Sequence, residues 1–83
     1  MNVRLKLYAM LADYLPSGAE KNEATVEVPD GSTVLDVLNG RNLPERDCHL
    51  VLVNGIYTAP GERAGRVLED GDHVAVWPPV AGG

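Results

Sequence analysis

The sequence contains no phenylalanine, one tryptophan, one cysteine and two methionines. With only Tyr8, Tyr14, Tyr57 and Trp77 as aromatics, its core has to be aliphatic, built from valine, leucine and alanine. The single cysteine, Cys48, excludes an intrachain disulfide and a cysteine-rich metal site. It stands just before the apolar run Leu50-Val51-Leu52-Val53 and reads as a small buried hydrophobe. A thiol nucleophile with His49 as its base is disfavoured, because adjacent side chains on a strand point to opposite faces. His49 and His73 are far apart and lack a helical or cysteine partner, so no metal motif is present.

Bases are also scarce. Seven Lys and Arg face twelve Asp and Glu, a net charge of −5. Such a surface repels phosphate backbones and anionic lipid, which excludes nucleic-acid and membrane-surface binding as expectations. It favours a partner with a basic face. No apolar run approaches the roughly 20 residues of a membrane-spanning helix. No signal peptide is legible either, so the expected location is cytoplasmic. Gly61-Glu62-Arg63-Ala64-Gly65 lacks the Gly-Lys-Ser/Thr of a phosphate-binding loop, and Asp70-Gly71-Asp72 lacks the spacing and closing glutamate of a calcium loop. No Ser/His/Asp set or carboxylate pair stands out, so an enzyme is not expected.

The 83 residues form one domain, in which only roughly 60% of the unfolded chain's surface can be buried. Hydrophobic residues at 45% place it among globular chains. Val3, Leu5 and Leu7 alternate with Arg4, Lys6 and Tyr8, a strand with one apolar face. Residues 9–15 are helix formers with Leu11, Ala12 and Leu15 on one face, ended by Pro16-Ser17-Gly18. Val26 and Val28 against Thr25 and Glu27 make a second half-buried strand, stopped by Pro29-Asp30-Gly31. Thr33 with Asp36 has the form of a capping box for a helix over 33–39, whose stripe is Val34, Val37 and Leu38 and whose stop is Gly40. Leu50 to Val53 is an apolar strand, Asn54-Gly55 a hairpin turn, and 56–58 the return. Residues 59–65 are loop. Asp70-Gly71-Asp72 turns the chain into a last strand, His73 to Trp77.

After that strand, Pro78-Pro79 halts pairing, since neither residue has an N–H to donate. Val80-Ala81-Gly82-Gly83 follows, uncharged, its last two residues without side chains. These residues carry a resemblance. Leu68, Asp70-Gly71-Asp72, Val74-Ala75, Pro78-Pro79-Val80 and Gly82-Gly83 resemble the MoaD/ThiS family of ubiquitin-like sulfur carriers, in its branch of molybdopterin synthase small subunits. Val53-Asn54-Gly55 and the order of elements extend the likeness over nearly the whole chain.

The resemblance implies an α+β, ubiquitin-like β-grasp domain over 1–77, a mixed sheet of about five strands with one main helix on one face. The first two strands would pair antiparallel, with the last beside the first in parallel. Residues 78–83 would be a flexible tail. It also implies that an E1-like enzyme adenylates Gly83 with ATP and Mg²⁺ and that a sulfur donor leaves a thiocarboxylate. The sulfur would then pass to a pterin precursor in the large subunit of molybdopterin synthase, as a heterotetramer, the chain itself binding no cofactor. Gly82 would let the end thread a narrow channel. Parity along the last strand points Trp77 outward; Leu50 and Leu52 face opposite to Val51 and Val53, and the resemblance implies that the valines go inward and that Leu52 joins Trp77 in an exposed patch. With Pro78, Pro79 and Val80, these two are the expected partner contacts. Sulfur carriage for thiamine or cysteine synthesis, conjugation to lysines as a protein modifier, and an interaction domain with an inert tail stay open.

Overall fold

The alternation at the start of the chain forms β1, Asn2–Leu7, in which Val3, Leu5 and Leu7 are wholly buried and Arg4 is exposed. The computed structural model describes residues 1–79. β2, Glu23–Glu27, runs antiparallel to β1, with Val26 opposite Val3 and Ala24 opposite Leu5. The later strands are β3, Leu50–Val53, the two-residue β4, Ile56–Tyr57, and β5, His73–Trp77. They join one sheet in the order β2-β1-β5-β3-β4, with β5 parallel to β1 and antiparallel to β3. This is the ubiquitin-like β-grasp arrangement, and β5 lies at its centre. Asn54 and Gly55, at φ 51° and 83°, form the tight turn between β3 and β4.

One face of the sheet carries α1, Val34–Gly40, which buries Val34, Val37 and Leu38. These meet Val26, Val51, Val53, Val74 and Val76 in a core closed by Leu11, Leu43 and Leu68. Thr33 is the N-cap and its capping box is complete. Its Oγ1 accepts from the Asp36 N–H at 3.2 Å, and the Asp36 carboxylate accepts from the Thr33 N–H at 2.9 Å. Two more first-turn donors lack partners inside the helix. The loop before β5 supplies them: Arg66 C=O accepts from Val34 N–H at 2.9 Å and Arg63 C=O from Leu35 N–H at 3.0 Å. The segment expected to be plain loop is thus a second N-terminal cap, with a short 3₁₀ turn at Pro60–Glu62.

Two expectations are corrected. Residues 9–15 do not form an α-helix but a 3₁₀ helix, Ala9–Tyr14, whose Leu11 N–H bonds Tyr8 C=O and whose Leu15 N–H bonds Ala12 C=O. Tyr8, at its N-cap, offers no side-chain oxygen to the first turn and keeps its own N–H in the sheet on Val76 C=O. Of the three apolar residues there, only Leu11 is fully buried. α1 does end at Gly40, but the left-handed cap expected of that glycine falls on Asn42, which takes φ 61° while the N–H of Leu43 reaches back to Leu38 C=O and that of Asn42 to Asn39 C=O. That bond pair is a Schellman motif, with its customary apolar contact supplied by the buried Leu38 and Leu43.

Candidate functional site

The face of the sheet away from α1 is built by strand parity. Where Val3, Leu5, Leu7, Val51, Val53, Val74 and Val76 point to the core, their neighbours point out. Register then sets Lys6 beside Ala75, Ala75 beside Leu52, and Leu50 beside Trp77. Tyr57 on β4 lies opposite Leu52 and is 55% exposed. Leu50, Leu52, Ala75 and Trp77 are half-buried, so they form a low apolar patch rather than isolated side chains. Arg4 and His73 stand side by side further along this face, exposed. Arg4 Nε donates to Glu23 Oε1 at 2.5 Å, and that bond holds the Glu23 carboxyl below its ordinary range.

Trp77 has a partner that the sequence reading did not pick out. The Tyr8 ring lies over it, with centroids 4.2 Å apart and planes 5° from parallel. Tyr8 continues the outward parity of Arg4 and Lys6, which was the available signal; the missing part was the parallel register that brings β1 beside β5. The backbone is tied at the same level, by Tyr8 N–H to Val76 C=O at 3.1 Å and His49 N–H to Trp77 C=O at 3.0 Å. Past this point Pro78 is half-buried and Pro79 exposed, outside any strand or helix. Val80, Gly82 and Gly83, the other expected site residues, lie outside the described residues. Leu52 does not touch Trp77 in register: Leu50 stands there, and Leu52 sits two residues along beside Ala75.

The opposite end of β5 is clasped by two motifs that are separate in the sequence. Asn54 Nδ2 donates to Asp72 Oδ1 at 3.0 Å, while Asn54 Oδ1 accepts from the His73 N–H at 2.9 Å. Asp72 Oδ2 accepts from the Glu69 N–H at 2.8 Å, and Asp70 Oδ1 from the Asn2 N–H at 2.7 Å. Burial pushes the Asp72 carboxyl up. The bonds from Asn54 and Glu69, with the charges of Arg66 and His73, more than offset this and hold it below the usual carboxylate range. Hence Asn-Gly and Asp-Gly-Asp are one device that sets where β5 begins.

Cys48 is buried with Sγ 3.5 Å from Pro44 C=O, whereas its neighbour His49 is exposed. Burial pushes the Cys48 thiol up, which opposes nucleophilic use. Among the described residues no group of three or more His, Cys, Asp or Glu could hold a metal ion. No helix among them is long and apolar enough to cross a membrane.

The model of a protein family described as the ThiS family matches residues 11–83. Among solved structures, the Haloferax volcanii protein HVO 2177 is 30% identical with a TM-score of 0.75, covering 100% of this chain and 87% of its own. SAMP1 from Haloferax volcanii is 27% identical with a TM-score of 0.68, covering all of both chains. A putative molybdopterin converting factor subunit 1 from Pyrococcus furiosus is 26% identical with a TM-score of 0.64, over 95% of this chain and 98% of its own. No curated protein matches.

Proposed function

The chain belongs to the ThiS family, and from that premise we propose that it is a sulfur carrier that works through the carboxylate of Gly83. The observation that carries this reading is that Pro78-Pro79 leaves the central strand at the edge of an outward apolar patch, with Val-Ala-Gly-Gly next in the sequence. A carboxylate is a poor acyl donor, because its leaving group would be oxide. An E1-like partner therefore attacks the α-phosphate of ATP·Mg²⁺ with the Gly83 carboxylate, releasing pyrophosphate and forming an acyl adenylate. Sulfide-level sulfur from a donor then displaces AMP, leaving the C-terminal thiocarboxylate. The carrier supplies position rather than proton transfer. Residues 78–83 when extended reach roughly 20 Å at about 3.3 Å each, far enough to enter a partner's site while the domain stays outside. The stiff Pro78-Pro79 pair limits the entropy lost on insertion.

The acceptor in this reading is a pterin precursor in molybdopterin synthesis, held by the large synthase subunit. Likeness to the Pyrococcus furiosus converting-factor subunit supports that branch, as does Pro78-Pro79-Val80. Two sulfurs are needed for a dithiolene, so two carriers would flank a large-subunit dimer. Trp77, Pro78, Pro79, Val80 and Leu52 are its partner contacts. A second reading, conjugation of Gly83 to lysines, is favoured by likeness to small archaeal modifier protein 1 from Haloferax volcanii. Intact mass spectrometry after incubation with the E1-like partner, ATP, Mg²⁺ and sulfide tests the proposal. The expected result is a mass gain of one oxygen-to-sulfur exchange, absent from a chain lacking Gly83. No gain, with the partner active on another carrier, overturns sulfur carriage. Lysine conjugates in extract move the reading to a modifier.

A further inference from the structure

Arg63 is only 3% exposed, in the loop that closes over the start of α1. A guanidinium taken out of water needs acceptors for its N–H groups, and donors left without them are costly. Here the supply is partial. Nη1 donates to Cys48 C=O at 2.9 Å. Nε and Nη2 are both buried and have no acceptor among the described residues. These two nitrogens form one edge of the guanidinium plane, and their N–H bonds run side by side. That edge is the fork that takes the two oxygens of a single carboxylate. The Arg63 backbone is tied down by its own C=O, which accepts from Leu35 N–H, so the fork is held in place under the loop.

Arg63 lines two cavities that share Glu45, Cys48 and Pro60. The inner one, of about 90 Å³, has Leu35, Leu38 and Leu43 as apolar walls and Asn39 as a further polar group. The outer one, of about 580 Å³, lies between the 3₁₀ turns Glu45–Asp47 and Pro60–Glu62, and its exposed Glu45, Arg46 and Pro60 face solvent. Glu45 lines both cavities, yet its carboxylate accepts nothing from the Arg63 fork. At the mouth Glu45 and Arg46 oppose each other in charge. The cation at the inner end is Arg63.

We propose that the Arg63 cavity binds a small monocarboxylate, an acid with a short apolar stem. Its two oxygens accept from Nε and Nη2, and its stem lies against Leu35, Leu38 and Leu43. One negative charge matches the one buried guanidinium, whereas a doubly charged phosphate would bring a second charge towards Glu45 with no second buried cation to meet it. Apolar walls around a few convergent polar groups are the usual make-up of a small-molecule site. Entry requires the exposed Glu45 and Pro60 side chains to give way, because neither Nε nor Nη2 touches solvent as the chain is folded. The site lies on the helix side of the sheet and does not depend on the sulfur-carrier reading.

The probe is sodium butyrate, titrated into the full chain with isotope-labelled arginine and leucine and followed by NMR at the Arg63 Nε–H and the leucine methyls. Butyramide, with the same stem and no charge, and sodium chloride at equal ionic strength run beside it. The expected result is a saturable downfield shift of the Arg63 Nε–H, half complete on the order of 1 mM, with methyl shifts at Leu35 and Leu43. Butyramide and chloride should leave the Nε–H where it is. Arg63→Lys keeps the charge and loses the fork, so its leucine methyls should respond to butyrate at least roughly tenfold more weakly. Glu45→Gln, at an exposed position, should bind butyrate more tightly, and it tests the site even if the lysine variant fails to fold. No Nε–H shift at about 50 mM butyrate overturns the proposal, since that lies well beyond specific affinity. Equal shifts with chloride overturn it by making the occupant an adventitious ion only. A butyrate-insensitive Nε–H that moves on Glu45→Gln overturns it by making Glu45 the fork's own partner.

Discussion

Trp77 is the residue on which most of the outward face converges: Tyr8 stacks on it, Leu50 pairs with it, and His49 bonds its carbonyl. An aromatic held this way is preorganised, so a partner that covers it loses little rotamer entropy. Trp77→Ala is expected to weaken docking to the proposed E1-like partner by about 2 kcal/mol. Leu52→Ala, further along the patch, should cost less, and titration calorimetry reads both. Unchanged affinity in both variants would remove this face from the partner interface. Asp72 makes a different prediction. Its carboxyl titrates lower in the folded chain than in the unfolded one, so its contribution is full above the unfolded value, about 4, and is lost as pH falls through the folded value. Melting temperature should therefore drop below about pH 4 in the native chain and drop less steeply in Asp72→Asn. That variant should already lose about 1–2 kcal/mol at neutral pH, because its amide cannot accept from both the Asn54 side chain and the Glu69 N–H. A thermal scan against pH with equal slopes in the two proteins would contradict this.

Helix α1 shows what local sequence does and does not reveal. Thr33, Asp36 and the Val34, Val37, Leu38 stripe were legible, because cap and periodicity act within a single turn. The rest of its N-terminus was not, since Arg63 and Arg66 approach from a loop about thirty residues later, and nothing local records that. The same closure buries the Arg63 side chain, whose Nη1 donates to Cys48 C=O at 2.9 Å, a placement no surface-like loop composition foretells. At the other end, glycine preference pointed to Gly40, although the left-handed residue is Asn42. The first helix failed for a related reason: its residues favour α-helix, but Tyr8 is held in the sheet and cannot cap them. These positions separate the two roles cleanly. A Cβ at Gly40 would meet nothing within 4 Å, so Gly40→Ala is expected to stabilise by about 0.5 kcal/mol. Asn42→Ala should destabilise by about 1 kcal/mol, the order of cost of forcing an ordinary side chain left-handed. Denaturant melts of both variants check the pair, and a loss of stability at Gly40 would restore it as the stop.

At the scale of the whole molecule, the strand order was legible only through family likeness, because alternation gives each strand a face but not a neighbour. Parity turned Trp77 outward and family likeness turned Leu52 outward, yet their offset, with Leu50 and not Leu52 beside Trp77, needed the register. That register makes the last strand the centre of the sheet. A chain ending at residue 72 would leave β1 and β3 without a strand between them, and circular dichroism should show it unfolded. A chain ending at 79 keeps every described strand and should melt as the full chain does, which differential scanning calorimetry checks; early melting would give the tail a structural part. The parallel pairing of β1 with β5 also sets how the domain bears load. The two strands run alongside each other with the chain's start at one end and the tail at the other, tied by Arg4 N–H to Asp72 C=O and Tyr8 N–H to Val76 C=O. Tension applied between the first residue and the tail acts along these bonds and must shear them together instead of peeling them one by one. On the proposed function, a partner that pulled on the residues beyond β5 would load these bonds in shear, which would keep the last strand in the sheet.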